Sequence, residues 1–140
     1  MIILNTNVVS EVVKVGRDGN VLSWLNGQSA ETLYLTATSL SELLIGIEIL
    51  PAGKRRDGLS TALSDLVGKL FHSRILPFDQ AAAVANALLV GKARTAGKAV
   101  SIQDGQIAAI AHVHGFSVAT RDTSPFMALG VSVINPWDRP

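Results

Sequence analysis

Apolar residues run along this chain in two alternating rhythms. Short unbroken stretches, rich in β-branched residues, read as strands buried on both faces. They are Ile2-Ile3-Leu4, Leu33-Tyr34-Leu35-Thr36-Ala37, Phe116-Ser117-Val118-Ala119-Thr120 and Val131-Ser132-Val133-Ile134. Ile75-Leu76-Pro77-Phe78 is a further short strand or extended entry. The second rhythm is helical. Leu40, Leu43, Leu44, Ile47 and Leu50 recur at i, i+3, i+4, i+7 and i+10, and Pro51 and Gly53 end the stripe. Leu59, Leu63, Leu66, Val67 and Leu70 form another. A helix from Val8, capped by Thr6 or Asn7, turns Val9, Val12 and Val13 inward, and a second runs from Asp18 to Gly27. Asp79 caps an Ala-rich helix that reaches about Ala96, with Val84 and Leu88 inward and Gly97 closing it. A last helix opens at Asp104, carries Ile107, Ile110 and Ala111, and ends at Gly115.

Strand and helix alternate almost throughout, the pattern of an α/β protein. The sheet is expected to be central and mostly parallel, with four or five strands and helices on both faces. A chain of 140 residues suits one domain, residues 1–140. With 48% apolar and 16% charged residues it has enough apolar surface to offset the entropy of ordering, which excludes disorder. In such sheets ligands bind beyond the carboxyl ends of the strands, near the switch point.

Composition narrows the chemistry. There is no Cys, so disulfides, thiolate metal sites and Cys nucleophiles are excluded. His72, His112 and His114 are too few and too badly spaced for a His-built metal site, so any metal must rest on oxygen ligands. A net charge of +1 excludes a strongly cationic nucleic-acid coat and leaves room for a locally focused site. The first residues carry no basic stretch or small-residue cleavage pattern, and no run approaches the roughly 18 apolar residues a membrane span needs. A cytoplasmic protein with no membrane association is expected.

The placement of the acids is more informative than their number. Glu42 follows the second strand by about one helical turn, Asp104 opens a helix, and Asp122 comes just after the strand ending at Ala119 or Thr120. Asn5 holds the equivalent post after the first strand. All four project toward one edge of the sheet. Three carboxylates in one cleft repel: at about 5 Å and an effective dielectric near 20, each pair costs roughly 3 kcal/mol. A hard divalent cation such as Mg²⁺ or Mn²⁺ offsets this, and it also activates water for attack on a phosphodiester. The structural alternative is equally concrete. Asp104 and Asp122 suit helix caps, and Ser39-Leu40-Ser41-Glu42 has the spacing of a capping box. Spacing alone leaves both readings open.

Taken together, these pieces resemble a PIN-domain ribonuclease, and more closely the VapC-type toxins of bacterial toxin–antitoxin pairs, in their FitB-like branch. The matching segments are MIILNTNVVSE, TSLSELLIGI, RILPFD, SIQDGQIAAIA, VATRDTSPF and the closing NPW, in order over residues 1–138. The resemblance implies a PIN-like three-layer sandwich and a Mg²⁺- or Mn²⁺-dependent endoribonuclease. It further implies a homodimer, possibly within a larger assembly, and a VapB/FitA-like antitoxin through which alone DNA is reached. Carried over residue by residue, the metal-holding and catalytic cluster is Glu42, Asp104, Asp122 and position 5, with Thr120 as a hydroxyl beside the last acid and Thr6 and Asn7 in the N-terminal motif. Thr120 and Thr6 would orient water or a carboxylate. The departure is Asn5, where the family has Asp. Asn keeps a carbonyl oxygen for a metal or water, brings no charge and cannot act as a base, so a folded, antitoxin-binding protein with reduced or absent nuclease activity is expected.

Other residues carry less. Lys54-Arg55-Arg56 is expected in a solvated loop, with RNA-backbone contact as the alternative. Arg121, beside Asp122, is a better candidate for a phosphate contact, or else balances the acids. Trp24 and Trp137 are expected in packing or an interface rather than in base stacking. The rival of a different class is a non-catalytic module acting through its antitoxin in a DNA-binding repressor complex. An aspartyl-nucleophile hydrolase is disfavoured, because Asn5 and Asn7 supply no carboxylate after the first strand.

Overall fold

The computed structural model describes residues 1–14 and 16–138. Five strands form one sheet: β1 (Ile2–Leu4), β2 (Leu33–Thr36), β3 (Ile75–Leu76), β4 (Ser117–Ala119) and β5 (Val133–Ile134). Their order is β3-β2-β1-β4-β5 and every pairing is parallel. The chain builds outward from β1 to β3 on one side, then returns to place β4 and β5 on the other. The switch point therefore lies between β1 and β4, at Asn5 and Thr120.

Among the described residues there are seven α-helices: α1 (Thr6–Val13), α2 (Gly19–Asn26), α3 (Ala37–Glu48), α4 (Lys54–Leu66), α5 (Gln80–Thr95), α6 (Ile102–His114) and α7 (Thr123–Ala128). A π-helical turn, Val67–Phe71, extends α4. They cover both faces of the sheet, as the period-2 geometry of the strands requires. Ile3 and Val118 point into a core shared with α5, α6 and α7. Leu4, Leu33, Leu35 and Ala119 point into a second core with α1 to α4. Both cores are apolar, aliphatic around one buried ring each (Phe126 in the first, Phe71 in the second), which is why the strands read as continuous apolar runs.

Several local expectations are corrected. The first helix starts at Thr6, with Asn5 as its cap, and not at Val8 behind Thr6 or Asn7. β2 stops at Thr36, whose hydroxyl caps α3 by accepting from Ser39 N–H at 3.0 Å. Thr38 and Ser39 are therefore inside the helix, and the expected Ser39–Glu42 capping box does not form. Lys54-Arg55-Arg56 is the first turn of α4, not a loop. Val84 and Leu88 face outward, 59% and 70% exposed. The side of α5 that is buried carries Ala82, Ala85 and Ala93, and it lies so close to α6 that a Cβ on Gly105 would come within 2.9 Å of both Asn86 Oδ1 and Val90 Cγ2. Small residues are selected at this close crossing, and the large ones are left outside.

Candidate active site

Four helices begin at the carboxyl edge of the sheet, and each delivers a polar side chain there. α1 leaves β1 through Asn5, which is only 7% exposed. Its Oδ1 accepts from Thr6 N–H at 2.9 Å, and its Nδ2 donates to Thr120 Oγ1 at 3.0 Å. Thr120 is fully buried, and its Oγ1 also accepts from Asn7 Nδ2 (3.2 Å) and from Asp122 N–H (3.1 Å). One hydroxyl thus fastens the end of β1 to the turn after β4. The Arg121 N–H adds a longer bond to Asn7 Oδ1 at 3.4 Å.

None of the three acids is used as a cap. Glu42 sits in the second turn of α3, where its Oε1 accepts from Thr6 Oγ1 at 3.1 Å. α6 is capped by Ser101, whose Oγ accepts from Asp104 N–H at 3.1 Å. Asp122 stands at the cap position of α7 but makes no side-chain cap bond. Released from those roles, Glu42, Asp104 and Asp122 line a single cavity of about 440 Å³ together with Asn5, Thr6 and Asn7. Thr120 lies beneath this cavity as the bonding node and does not line it.

The carboxylates feel both burial and one another. Burial raises the pKa of Glu42, the Asp104 charge adds to the rise, and the Thr6 hydroxyl opposes it. Burial likewise raises Asp104, the Asp122 charge adds to it, and the Ser101 hydroxyl opposes it. The donor set is all oxygen: three carboxylates and the Asn5 carbonyl, which suits a hard divalent cation. Among the described residues no three of the acids close into a ready-made cage. Mg²⁺ does not require one, because it keeps several waters and binds through one or two carboxylates.

Sequence reasoning missed part of this cavity. Glu11 is 5% exposed and lines it, as do Ser10, Lys14 and Trp137. Burial favours the neutral form of Glu11, but the Asp18 N–H at 2.8 Å and Lys14 at 2.9 Å outweigh it, and the carboxyl lies below its usual range. The available signal was the i, i+3 pair of Glu11 and Lys14 on the helix that follows Asn5.

An all-parallel sheet with acids from helices far apart in the chain converging at its switch point is the arrangement of a PIN-type domain, and the PIN-domain profile matches residues 2–129. A VapC ribonuclease of Sinorhizobium fredii is 49% identical over 138 residues, covering 99% of each chain. The toxin FitB of Neisseria gonorrhoeae is 42% identical over 137 residues, covering 98% of this chain and 99% of that one. The solved FitAB complex bound to a DNA fragment superposes with a TM-score of 0.94 at 39% identity, over 100% of this chain and 98% of that one. The chain belongs to the PIN-domain family, among the VapC and FitB toxins.

Proposed function

We propose that this chain is the toxin of a toxin–antitoxin pair, a single PIN domain over residues 1–140 whose cavity hydrolyses RNA with the help of Mg²⁺ or Mn²⁺ and is weakened as it stands by Asn5. The observation that carries the reading is the convergence of Glu42, Asp104 and Asp122 in one cavity while other residues, or none, do the capping. Those three carboxylates, with the Asn5 carbonyl, would hold the ion. When bound, such an ion polarises a phosphodiester and lowers the pKa of a coordinated water. The chain supplies positioning: Thr6 holds Glu42, and Thr120 ties Asn5 to the turn that presents Asp122. Asn5 spends one end of its amide on Thr120 and an oxygen lone pair on Thr6, adds no charge and cannot accept a proton.

The partner is an antitoxin of the VapB or FitA kind, with DNA reached only through it. A groove of about 810 Å³ beside the cavity, walled by Leu43, Ile47, Leu50, Leu59 and Leu63 and rimmed by Lys14, Lys54 and Arg55, suits an apolar antitoxin segment with acidic flanks. The outward Val84 and Leu88 of α5 suit a homodimer contact. No helix of the described residues is long and apolar enough to cross a membrane, and the cytoplasm, where RNA is met, is the proposed location.

The test is cleavage of RNA by purified protein with Mn²⁺ and with EDTA. The chain as it stands is expected to cut weakly or not at all, Asn5→Asp to gain Mn²⁺-dependent cleavage, and Asn5→Asp with Asp104→Asn to lose it again. The missing charge at Asn5, whose amide is engaged at both ends by Thr120 and Thr6, favours one second reading, a non-catalytic module acting through its antitoxin. An Asn5→Asp protein that binds antitoxin and leaves RNA intact decides for that reading.

A further inference from the structure

The charged lining of the cavity is Glu11, Glu42, Asp104 and Asp122 against only Lys14 and Arg121. A polyanion entering so acidic a space needs a cation that is not already neutralised. Lys14 is committed to Glu11 at 2.9 Å. Arg121 is adjacent in sequence to Asp122, yet among the described residues it forms no salt bridge. Its guanidinium lies instead over the Trp137 ring, 5.3 Å from the centroid. Trp137 is itself held on three sides: its N–H donates to Asn135 Oδ1 at 3.0 Å, its carbonyl accepts from Asn20 Nδ2 at 3.1 Å, and its ring packs against the second core. A cation–π contact fixes the plane of a guanidinium without consuming its N–H donors, which an ion pair would. The expectation that Trp137 serves packing is therefore only half the matter: its buried side packs, and its other side carries Arg121.

We infer that Arg121, steadied on Trp137, is the positioning clamp for the RNA strand: its guanidinium grips a backbone phosphate next to the one presented to the carboxylates. This rests on the nuclease reading above. The backbone of Arg121 is bonded through Asn7 to the Thr120 node, which also holds the backbone of Asp122, so Arg121 and Asp122 are presented from one fastened turn.

The experiment measures binding of a short, labelled single-stranded RNA by anisotropy, in EDTA and in Ca²⁺, across a salt series. Arg121→Ala is expected to weaken binding about tenfold and to lower the slope of log affinity against log salt by about one. Trp137→Leu, which stays apolar but loses the aromatic face, is expected to weaken binding by severalfold, and Trp137→Phe to restore most of it. In a Trp24→Phe background, RNA is expected to change Trp137 fluorescence, and Arg121→Ala to abolish that change. Arg121 is exposed, so its variant will fold even if a Trp137 variant does not. Unchanged affinity and salt slope for Arg121→Ala, or loss of antitoxin binding with RNA binding intact, overturns the clamp. So does equal binding by Trp137→Leu and Trp137→Phe. If Asn5→Asp cleaves RNA while Arg121→Ala binds normally, the clamp alone fails; if Asn5→Asp neither binds nor cleaves RNA, the nuclease reading fails with it.

Discussion

Asn5→Asp changes the charge at the switch point and almost nothing else. The two side chains have nearly the same shape, and the hydrogen bonds survive. Thr6 N–H still finds an oxygen, and Thr120 Oγ1, whose own proton has only a 3.4 Å contact with the Asp122 carbonyl, turns that proton to the new carboxylate. What is added is a fourth like charge at a position 7% exposed, in a cavity with Glu42, Asp104 and Asp122. At about 5 Å and an effective dielectric near 20, one such pair costs roughly 3 kcal/mol. Glu42 and Asp104 already hold protons more tightly than usual, so proton uptake relieves part of the strain. A net loss of ~2–3 kcal/mol in EDTA at neutral pH is expected, which lowers Tm by about 6–10 °C for a chain of this size. A divalent ion at a hundred times its Kd returns about 2.7 kcal/mol, so Mn²⁺ should bring the variant back to the level of the parent or above it. The assay is thermal unfolding of both proteins, with EDTA and with Mn²⁺. Equal Tm values in EDTA, or an Mn²⁺ shift no larger in the variant than in the parent, would refute the charge argument whatever happened to RNA.

Other perturbations probe the remaining parts. Thr120→Val leaves a buried N–H of Asn5 and part-buried ones of Asn7 and Asp122 without their acceptor, and is expected to cost ~1–3 kcal/mol in urea unfolding, with Thr120→Ser recovering most of it; a loss under about 0.5 kcal/mol would show that Thr120 does not fasten the turn. Gly105→Ala improves helix propensity by about 1 kcal/mol but drives a methyl against Asn86 and Val90, and overpacking of ~1–3 kcal/mol is expected to win, lowering Tm; a rise in Tm would count against so close a crossing. Leu88→Glu is expected to give a monomer by light scattering, and a persistent dimer would move the contact off α5. The raised pKa values of Glu42 and Asp104 mean that the folded protein binds their protons more tightly than the unfolded chain does, so stability from these groups is full below the ordinary carboxylate range and is lost as pH rises through their raised values. The Tm gain from Mn²⁺ should therefore be small near pH 4 and grow toward pH 7, and a gain independent of pH would contradict it.

The strands and the sheet type were legible because a strand buried on both faces must be apolar at successive positions, as Ile2-Ile3-Leu4 is. The acids were legible as a set through the rule that α/β sheets bind at their carboxyl edges together with the resemblance to PIN domains, since spacing alone also allowed helix caps. Three things were not. Helix starts slipped by two or three residues at Asn5 and Thr36, where a residue at the end of the strand turns its side chain back to cap the next helix. The inward face of α5 was misjudged because size normally marks the core. Here the closeness of α6 at Gly105 reverses the rule, burying Ala and exposing Val84 and Leu88. Glu11 escaped because its burial depends on Lys14 and on the backbone of Asp18, a tertiary arrangement with only a weak local trace.

The four side chains at the cavity share one more property. Asn5 and Asp122 are the cap residues of α1 and α7, Asp104 is in the first turn of α6, and Glu42 is in the second turn of α3. Each sits near the amino end of a helix, where the partial positive charge of the macrodipole favours an anion by about 0.3–1 kcal/mol and fades beyond the first turn. Parallel topology brings this about: α1, α3 and α7 each follow a strand, and α6 runs back to the start of β4, so all four begin at the same edge. The fold therefore offers acids a tolerant place before any ion arrives. The tolerance is too small, however, to balance roughly 3 kcal/mol for each close pair of carboxylates. What remains must be met by a proton, a cation or the removal of a charge. The raised pKa values of Glu42 and Asp104 are the first of these, a divalent ion would be the second, and Asn5 is the third. On the proposed nuclease reading, Asn5 trades part of the hold on that ion for a more stable empty cavity, and folding of this chain is expected to depend on divalent metal less than that of its Asn5→Asp variant.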